Sequence, residues 1–216
     1  MAWKFDSFFY NRSGCPAELV EVRCHSERSR RRHLTSTSSA GLSCPNFFSV
    51  LNPLYFTVCS LAEYPSALAL GRSLQRQVPD AHFRIGLADR PERLPADAPR
   101  PFRVVGVEEM ALPNLHTLSE RYTWLEFLHL TRPFFARYFL ETAPSAEGLF
   151  FLGPECRVLA PPTAALTAFS TASIGLIPQR LASPIDPTRL PAERQVLNEG
   201  VYQGAAWALR RGSEAD

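Results

Sequence analysis

No run of apolar residues in the chain approaches the roughly eighteen needed to cross a bilayer as a helix, so no helical span is expected. The start, Met1 to Phe9, lacks a charged region followed by an apolar block and a cleavage site, and does not read as a secretory leader. Charge of one sign is lacking too. The 23 basic and 21 acidic residues leave a formal net charge of +2, which gives no general attraction to nucleic acid or to an anionic membrane. Cysteine is sparse: five residues (Cys15, Cys24, Cys44, Cys59, Cys156), an odd count with no C-x-x-C pair. That excludes a disulfide framework and fits a soluble protein of the reducing cytoplasm. The five histidines are too scattered to suggest a metal cluster and read as structural. No Gly-x-Ser-x-Gly, Cys/His pairing or glycine-rich phosphate loop stands out, which removes the support for a nucleophilic hydrolase or a nucleoside triphosphatase.

What the chain does have is apolar content, 45% hydrophobic and 11% aromatic over 216 residues, enough to bury one core. That content is unevenly placed. Residues 1–53 mix isolated aromatics with an Arg/Ser/Thr tract and show no sustained period of 3.6 or 2. Such a stretch cannot bury enough apolar area to offset its backbone entropy, so a disordered arm is expected. Five arginines (Arg23, Arg28, Arg30, Arg31, Arg32) give this arm its basic character. An RNA-binding tail is the alternative, although no aromatics interleave the arginines as single-strand binding would favour. The block from Cys24 to Ser29 resembles translated intergenic repeat from bacterial genomes, which implies a start placed too early.

From Leu54 the texture changes to alternating strand and helix signals, and residues 54–216 are read as one domain. Tyr55 to Cys59 is a short β-rich run. Ala62 to Gln77 follows with Ala67, Leu70, Leu74 and Val78 at spacings of three and four, an amphipathic helix. His82–Leu87 and Phe102–Val107 read as the next strands, separated by a proline-rich loop, and the order strand, helix, strand predicts a parallel crossover. Leu115 to Tyr138 is strongly apolar, and Pro133, lacking a backbone donor, is expected to divide it into two helices. Gly148–Leu152 is a continuous apolar strand suited to burial on both faces. Its carboxyl end is where open α/β sheets bind ligands. Further strands are expected near Ala172–Ile177 and Val201–Leu209.

Several of these segments together resemble bacterial glycosyltransferase-like proteins of the GT-A fold, related to the family containing glycogenin and the lipopolysaccharide galactosyltransferases. Phe56-Thr57-Val58-Cys59-Ser60 is similar to their first strand and nucleotide-binding turn, and Gly71-Arg72-Ser73-Leu74 to their Gly-x-Ser-Leu. Ile85 to Arg90 and Val107-Glu108-Glu109 resemble their second and third strands. Thr131-Arg132-Pro133-Phe134-Phe135 stands where they carry Lys-Pro-Phe, and Leu197-Asn198-Glu199-Gly200-Val201-Tyr202 resembles their Leu-Asn-Ser-Gly-Val-Tyr. The resemblance runs from Leu54 to Arg211. It implies a Rossmann-like, mostly parallel sheet flanked by helices, and a transferase that takes a nucleoside-diphosphate sugar, with UDP as the nucleotide, and an unidentified saccharide or protein acceptor.

The chain departs from that family at the acidic motif. Relatives present Asp-x-Asp after the central strand, where two carboxylates hold Mg²⁺ or Mn²⁺ against the donor diphosphate. Here the residues are Gly153-Pro154-Glu155, with one carboxylate lost and the other lengthened. The resemblance assigns Glu155 to a residual metal or sugar contact, Asn198 to the donor sugar, and Arg132 to the diphosphate, which a guanidinium can clamp in a bidentate manner. Thr57, Cys59, Ser60, Asp89 and Gly200 complete the expected nucleotide-binding set. A second reading is a decayed or truncated relative that binds or interacts without turnover.

Overall fold

Every residue of Pro53–Cys59 is buried, and that continuous burial places the run in the middle of a sheet covered on both faces. In the computed structural model, residues 51–110, 112–170, 172–178, 200 and 202–212 are described, together with the backbone of residues 22–24. The elements in chain order are β1 (Val22–Cys24), β2 (Pro53–Cys59), α1 (Tyr64–Gln77), β3 (Phe83–Leu87), β4 (Arg103–Gly106), α2 (Leu115–Arg121), α3 (Trp124–Thr142), β5 (Gly148–Leu152), β6 (Cys156–Val158), α4 (Thr163–Phe169), β7 (Ile174–Pro178) and β8 (Tyr202–Arg210). Six strands form one sheet in the order β4-β3-β2-β5-β8-β7. β4, β3, β2 and β5 are mutually parallel, and β8 is antiparallel to both β5 and β7. This is the mostly parallel, helix-flanked, Rossmann-like sheet that the sequence resemblance implied.

Alternation along β2 separates the two faces. Tyr55 and Cys59 belong to the core under α1 and α4, whereas Leu54, Phe56 and Val58 belong to the core under α3. The α3 side is aromatic. The ring of Phe56 meets Phe139, Phe151 and Trp207 edge-on at 5.3, 5.3 and 5.6 Å, an arrangement that favours the ring quadrupoles. Phe135 packs where Gly86 leaves room, since a Cβ on Gly86 would lie 2.8 Å from the Phe135 ring. On the other face α1 turns Ala67, Leu70, Gly71 and Leu74 inward, and Phe102 comes so near Gly71 that a Cβ there would sit 2.5 Å away.

The end of α3 is closed by a distant residue. Arg211, just past β8, donates to the carbonyls of Leu140, Ala143 and Ala146. Carbonyls in the last turn of a helix have no partner within it, and a cation there also complements the helix dipole.

Pro133 does not divide the apolar stretch as expected. The break falls at Tyr122–Thr123, and Pro133 lies inside α3. Thr123 and Glu126 make a capping box, the Glu126 carboxylate accepting from the Thr123 N–H at 2.9 Å and the Thr123 hydroxyl accepting from the Glu126 N–H at 3.4 Å. That start signal outweighs the proline, which is on an exposed side of α3 where a carbonyl deprived of its N–H partner can turn to water. β6 and α4 were not expected from the sequence. Within the arm, Val22–Cys24 pairs antiparallel with Cys156–Val158; residues 1–21 and 25–50, where the disordered arm was expected, lie outside the described residues. No helix among the described residues is long and apolar enough to cross a membrane.

Candidate functional site

After β2 the chain turns into α1 and proceeds to β3 and β4 on one side, and only later returns to the other side of β2 as β5. The winding therefore reverses between β2 and β5, and a crevice opens beyond their carboxyl ends, the general ligand position in open α/β sheets. Ser60 to Glu63 forms one wall and Gly153 to Glu155 the other.

The first wall is tied by carboxylates. The Ser60 N–H and hydroxyl donate to Glu63 Oε2 at 3.1 and 3.0 Å, and the Glu63 N–H donates back to Ser60 Oγ at 3.1 Å. Asp89, just past β3, accepts the Leu61 N–H at 2.9 Å, while the Ala88 N–H donates to the Cys59 carbonyl. Asp89 and Ser60 are thus brought together at this turn. Thr57 and Cys59 are fully buried and face the α1 side of the core, so only their backbone is available to a ligand. The Thr57 hydroxyl has no hydrogen-bond partner. Burial first, and the nearby Glu63 and Asp89 carboxylates second, push the Cys59 thiol well above the usual thiol range.

The second wall is a tight turn. The Gly153 N–H donates to the Ala205 carbonyl at 2.7 Å and the Cys156 N–H to the Gly153 carbonyl at 2.9 Å. Glu155 is exposed, and its carboxylate folds back over Gly153, with Cδ 2.7 Å from where a Cβ on that glycine would be. A side chain at 153 is accommodated only if Glu155 swings away, which its flexible end permits.

Arg132 enters from the middle of α3. Its guanidinium lies over the Phe151 ring at 4.9 Å, and Nη1 donates to the Gly204 carbonyl at 3.1 Å. Its Nε is buried and lacks a hydrogen-bond partner among the described residues. Burial lowers the pKa of the group from its ordinary value, with Glu155, Glu63 and Cys156 acting in the opposite sense. No carboxylate among the described residues stands within ion-pair distance of it. One turn earlier, His129 has its pKa lowered by burial and then by the Arg132 charge, with Glu63 opposing.

Glu63, His129, Arg132 and Glu155 therefore share one electrostatic neighbourhood at the end of β5. The sequence reading singled out Arg132 and Glu155 but missed Glu63 and His129. Two signals were available: an acidic residue four positions past a strand end, at the helix cap, and a histidine one helical turn from the chosen arginine. Gly200 is exposed with φ +90, backbone that suits glycine in a turn. Asn198 lies outside the described residues. Among the described residues no group of three His, Cys, Asp or Glu side chains is placed to hold a metal ion.

The charged side chains thus gather at the switch point of a mostly parallel, helix-flanked α/β sheet. No family model matches the chain, and no curated protein matches it in sequence. Solved structures similar to it include the galactosyltransferase LgtC in complex with donor and acceptor sugar analogues, at 14% identity and a TM-score of 0.40, covering 72% of this chain and 57% of that one. The bifunctional glycosyltransferase WbbM matches at 13% identity and a TM-score of 0.40, covering 78% of this chain and 33% of that one. Mouse xyloside xylosyltransferase 1 matches at 12% identity and a TM-score of 0.37, covering 73% and 67%. The chain thus spans only 57% and 33% of the first two proteins.

Proposed function

We propose that the crevice between β2 and β5 binds a nucleoside-diphosphate sugar, with UDP as the nucleotide, and serves glycosyl transfer to a saccharide or protein acceptor. The reading rests on Arg132, a guanidinium fixed at the mouth of the central strand with a buried Nε–H that has no acceptor among the described residues. A donor held in this way is unfavourable alone and is satisfied by an oxyanion, as a diphosphate provides. Glycosyl transfer builds negative charge on the departing diphosphate, and a preorganised cation in a partly desolvated crevice stabilises that charge. His129, whose pKa is lowered by burial and then by Arg132, would add a second positive group once a diphosphate raises its proton affinity.

The described residues do not by themselves complete a site for Mg²⁺ or Mn²⁺. Glu155 offers one carboxylate, Glu63 is engaged by Ser60, and Asp89 is engaged by Leu61. Charge neutralisation therefore falls to Arg132 in this proposal. Ser60 and the neighbouring backbone would face the nucleotide, and Asn198 with Gly200 the donor sugar. The odd count of five cysteines with no C-x-x-C spacing supports a cytoplasmic setting for this chemistry.

Titration calorimetry with UDP, with and without Mn²⁺, tests the reading. Binding that persists without the metal and is lost in Arg132→Met supports it. Heat indistinguishable from dilution at millimolar UDP overturns it. Hydrolysis of a panel of UDP-sugars then separates a working transferase from a domain that only binds.

A further inference from the structure

We propose a second anion site at the opposite end of the sheet, which takes the phosphate group of a small metabolite between Arg84 and Arg103. These residues are register partners on the parallel strands β3 and β4. Neighbouring strands lie about 4.8 Å apart, so the two side chains leave the same face side by side. Like charges directly opposite in a sheet are destabilising. Here the opposition is not relieved, because neither guanidinium is within ion-pair distance of a carboxylate among the described residues.

The pair opens on a cavity of about 330 Å³, lined also by His82, Thr142, Ser145 and Asn52. That volume falls within the range of small-molecule sites, roughly 300–1,000 Å³, and exceeds what a lone phosphate ion fills. Arg84 is aimed and held. Its Nη1 donates to Thr142 Oγ1 at 3.0 Å and Nη2 to the Thr142 carbonyl at 3.5 Å, and its guanidinium lies 5.6 Å from the Phe139 ring centroid. Three of the five N–H donors of a guanidinium remain after those two bonds. Arg103 is exposed and its side chain makes no hydrogen bond among the described residues, so its whole fork is available. Glu147 on the same side is engaged by the Asn52 N–H at 2.9 Å, and Glu141 by Arg137 at 2.9 Å. Burial, then the charge of Arg103, lowers the pKa of Arg84, as expected of two guanidinium groups that lack a shared counter-ion.

The site is independent of the crevice at the other end of β2 and β5. Thermal unfolding and titration calorimetry of the full chain, with inorganic phosphate and with glycerol phosphate at constant ionic strength, give the test. Either compound should raise Tm saturably. Tighter binding of the ester by about tenfold assigns a phosphorylated metabolite, and equal binding assigns the free ion. Arg103→Gln removes an exposed side chain and should fold normally, with a Tm in the absence of phosphate at or above that of the parent and with the phosphate effect gone. The comparison is made in the Arg132→Met background, so that phosphate at the far crevice does not contribute, and Arg72→Gln, an exposed change on α1 at neither site, should keep the effect. An equal rise with chloride at matched ionic strength, or an undiminished phosphate effect in Arg103→Gln, overturns the proposal.

Discussion

The guanidinium of Arg132 lies 4.9 Å from the centre of the Phe151 ring, so a cation of α3 is stacked on the strand that ends in Gly153-Pro154-Glu155. Phe151 is fully buried and cannot yield, which fixes the guanidinium plane before any ligand arrives.

Replacing Arg132 by Met keeps the contact with Phe151 while removing a partly desolvated charge. Stability should change by no more than about 1 kcal/mol, because the lost cation–π contact and hydrogen bond are offset by relief of desolvation. Affinity for UDP should fall by about tenfold or more. Denaturant unfolding paired with calorimetry reads both quantities on one preparation.

His129 gives a pH dependence with a definite sign. Its pKa in the folded chain is below the ordinary 6.5, by burial first and by Arg132 second. In the window just below pH 6.5 the unfolded chain therefore binds a proton that the folded chain does not, and stability rises as pH rises through that window. A bound diphosphate reverses the local potential, so UDP binding should take up protons in the window just below pH 6.5. Calorimetry in buffers of different ionisation heat measures that uptake, and His129→Gln should abolish it.

Gly86→Ala places a methyl group 2.8 Å from the Phe135 ring, which is itself fully buried. Overpacking of this kind costs about 1–3 kcal/mol, and chemical denaturation should show the loss in the midpoint with no change in slope.

Arg211→Ala uncovers the carbonyls of Leu140, Ala143 and Ala146 together. A loss of about 2 kcal/mol is expected from charged hydrogen bonds of this type, with Arg211→Lys recovering part of it. Amide exchange should speed up selectively in the last turn of α3.

The elements legible in the sequence were those with a period or a long apolar run. β5, buried at every position, was read with the bounds it has in the structure, because nothing but a two-sided strand explains Gly-Leu-Phe-Phe-Leu between polar turns. β6 has three residues and α4 seven, too few to establish a period. Pro133 misled because a single local preference was set above the Thr123–Glu126 cap, which was equally visible. At the crevice, Arg132 and Glu155 could be found through motif order, whereas Glu63 and His129 matter through proximity across the fold, a property no linear spacing records.

The last of the described strands sits inside the sheet. β8 lies between β5 and β7, and β7 has no other strand partner among the described residues. During synthesis, then, β7 emerges before the strand it pairs with, and Trp207 and Arg211, which complete the α3 side, follow later still. A ribosome that pauses before this strand holds a nascent chain with an open sheet and an uncapped α3. Chaperone dependence of expression should track elongation speed through residues 202–211.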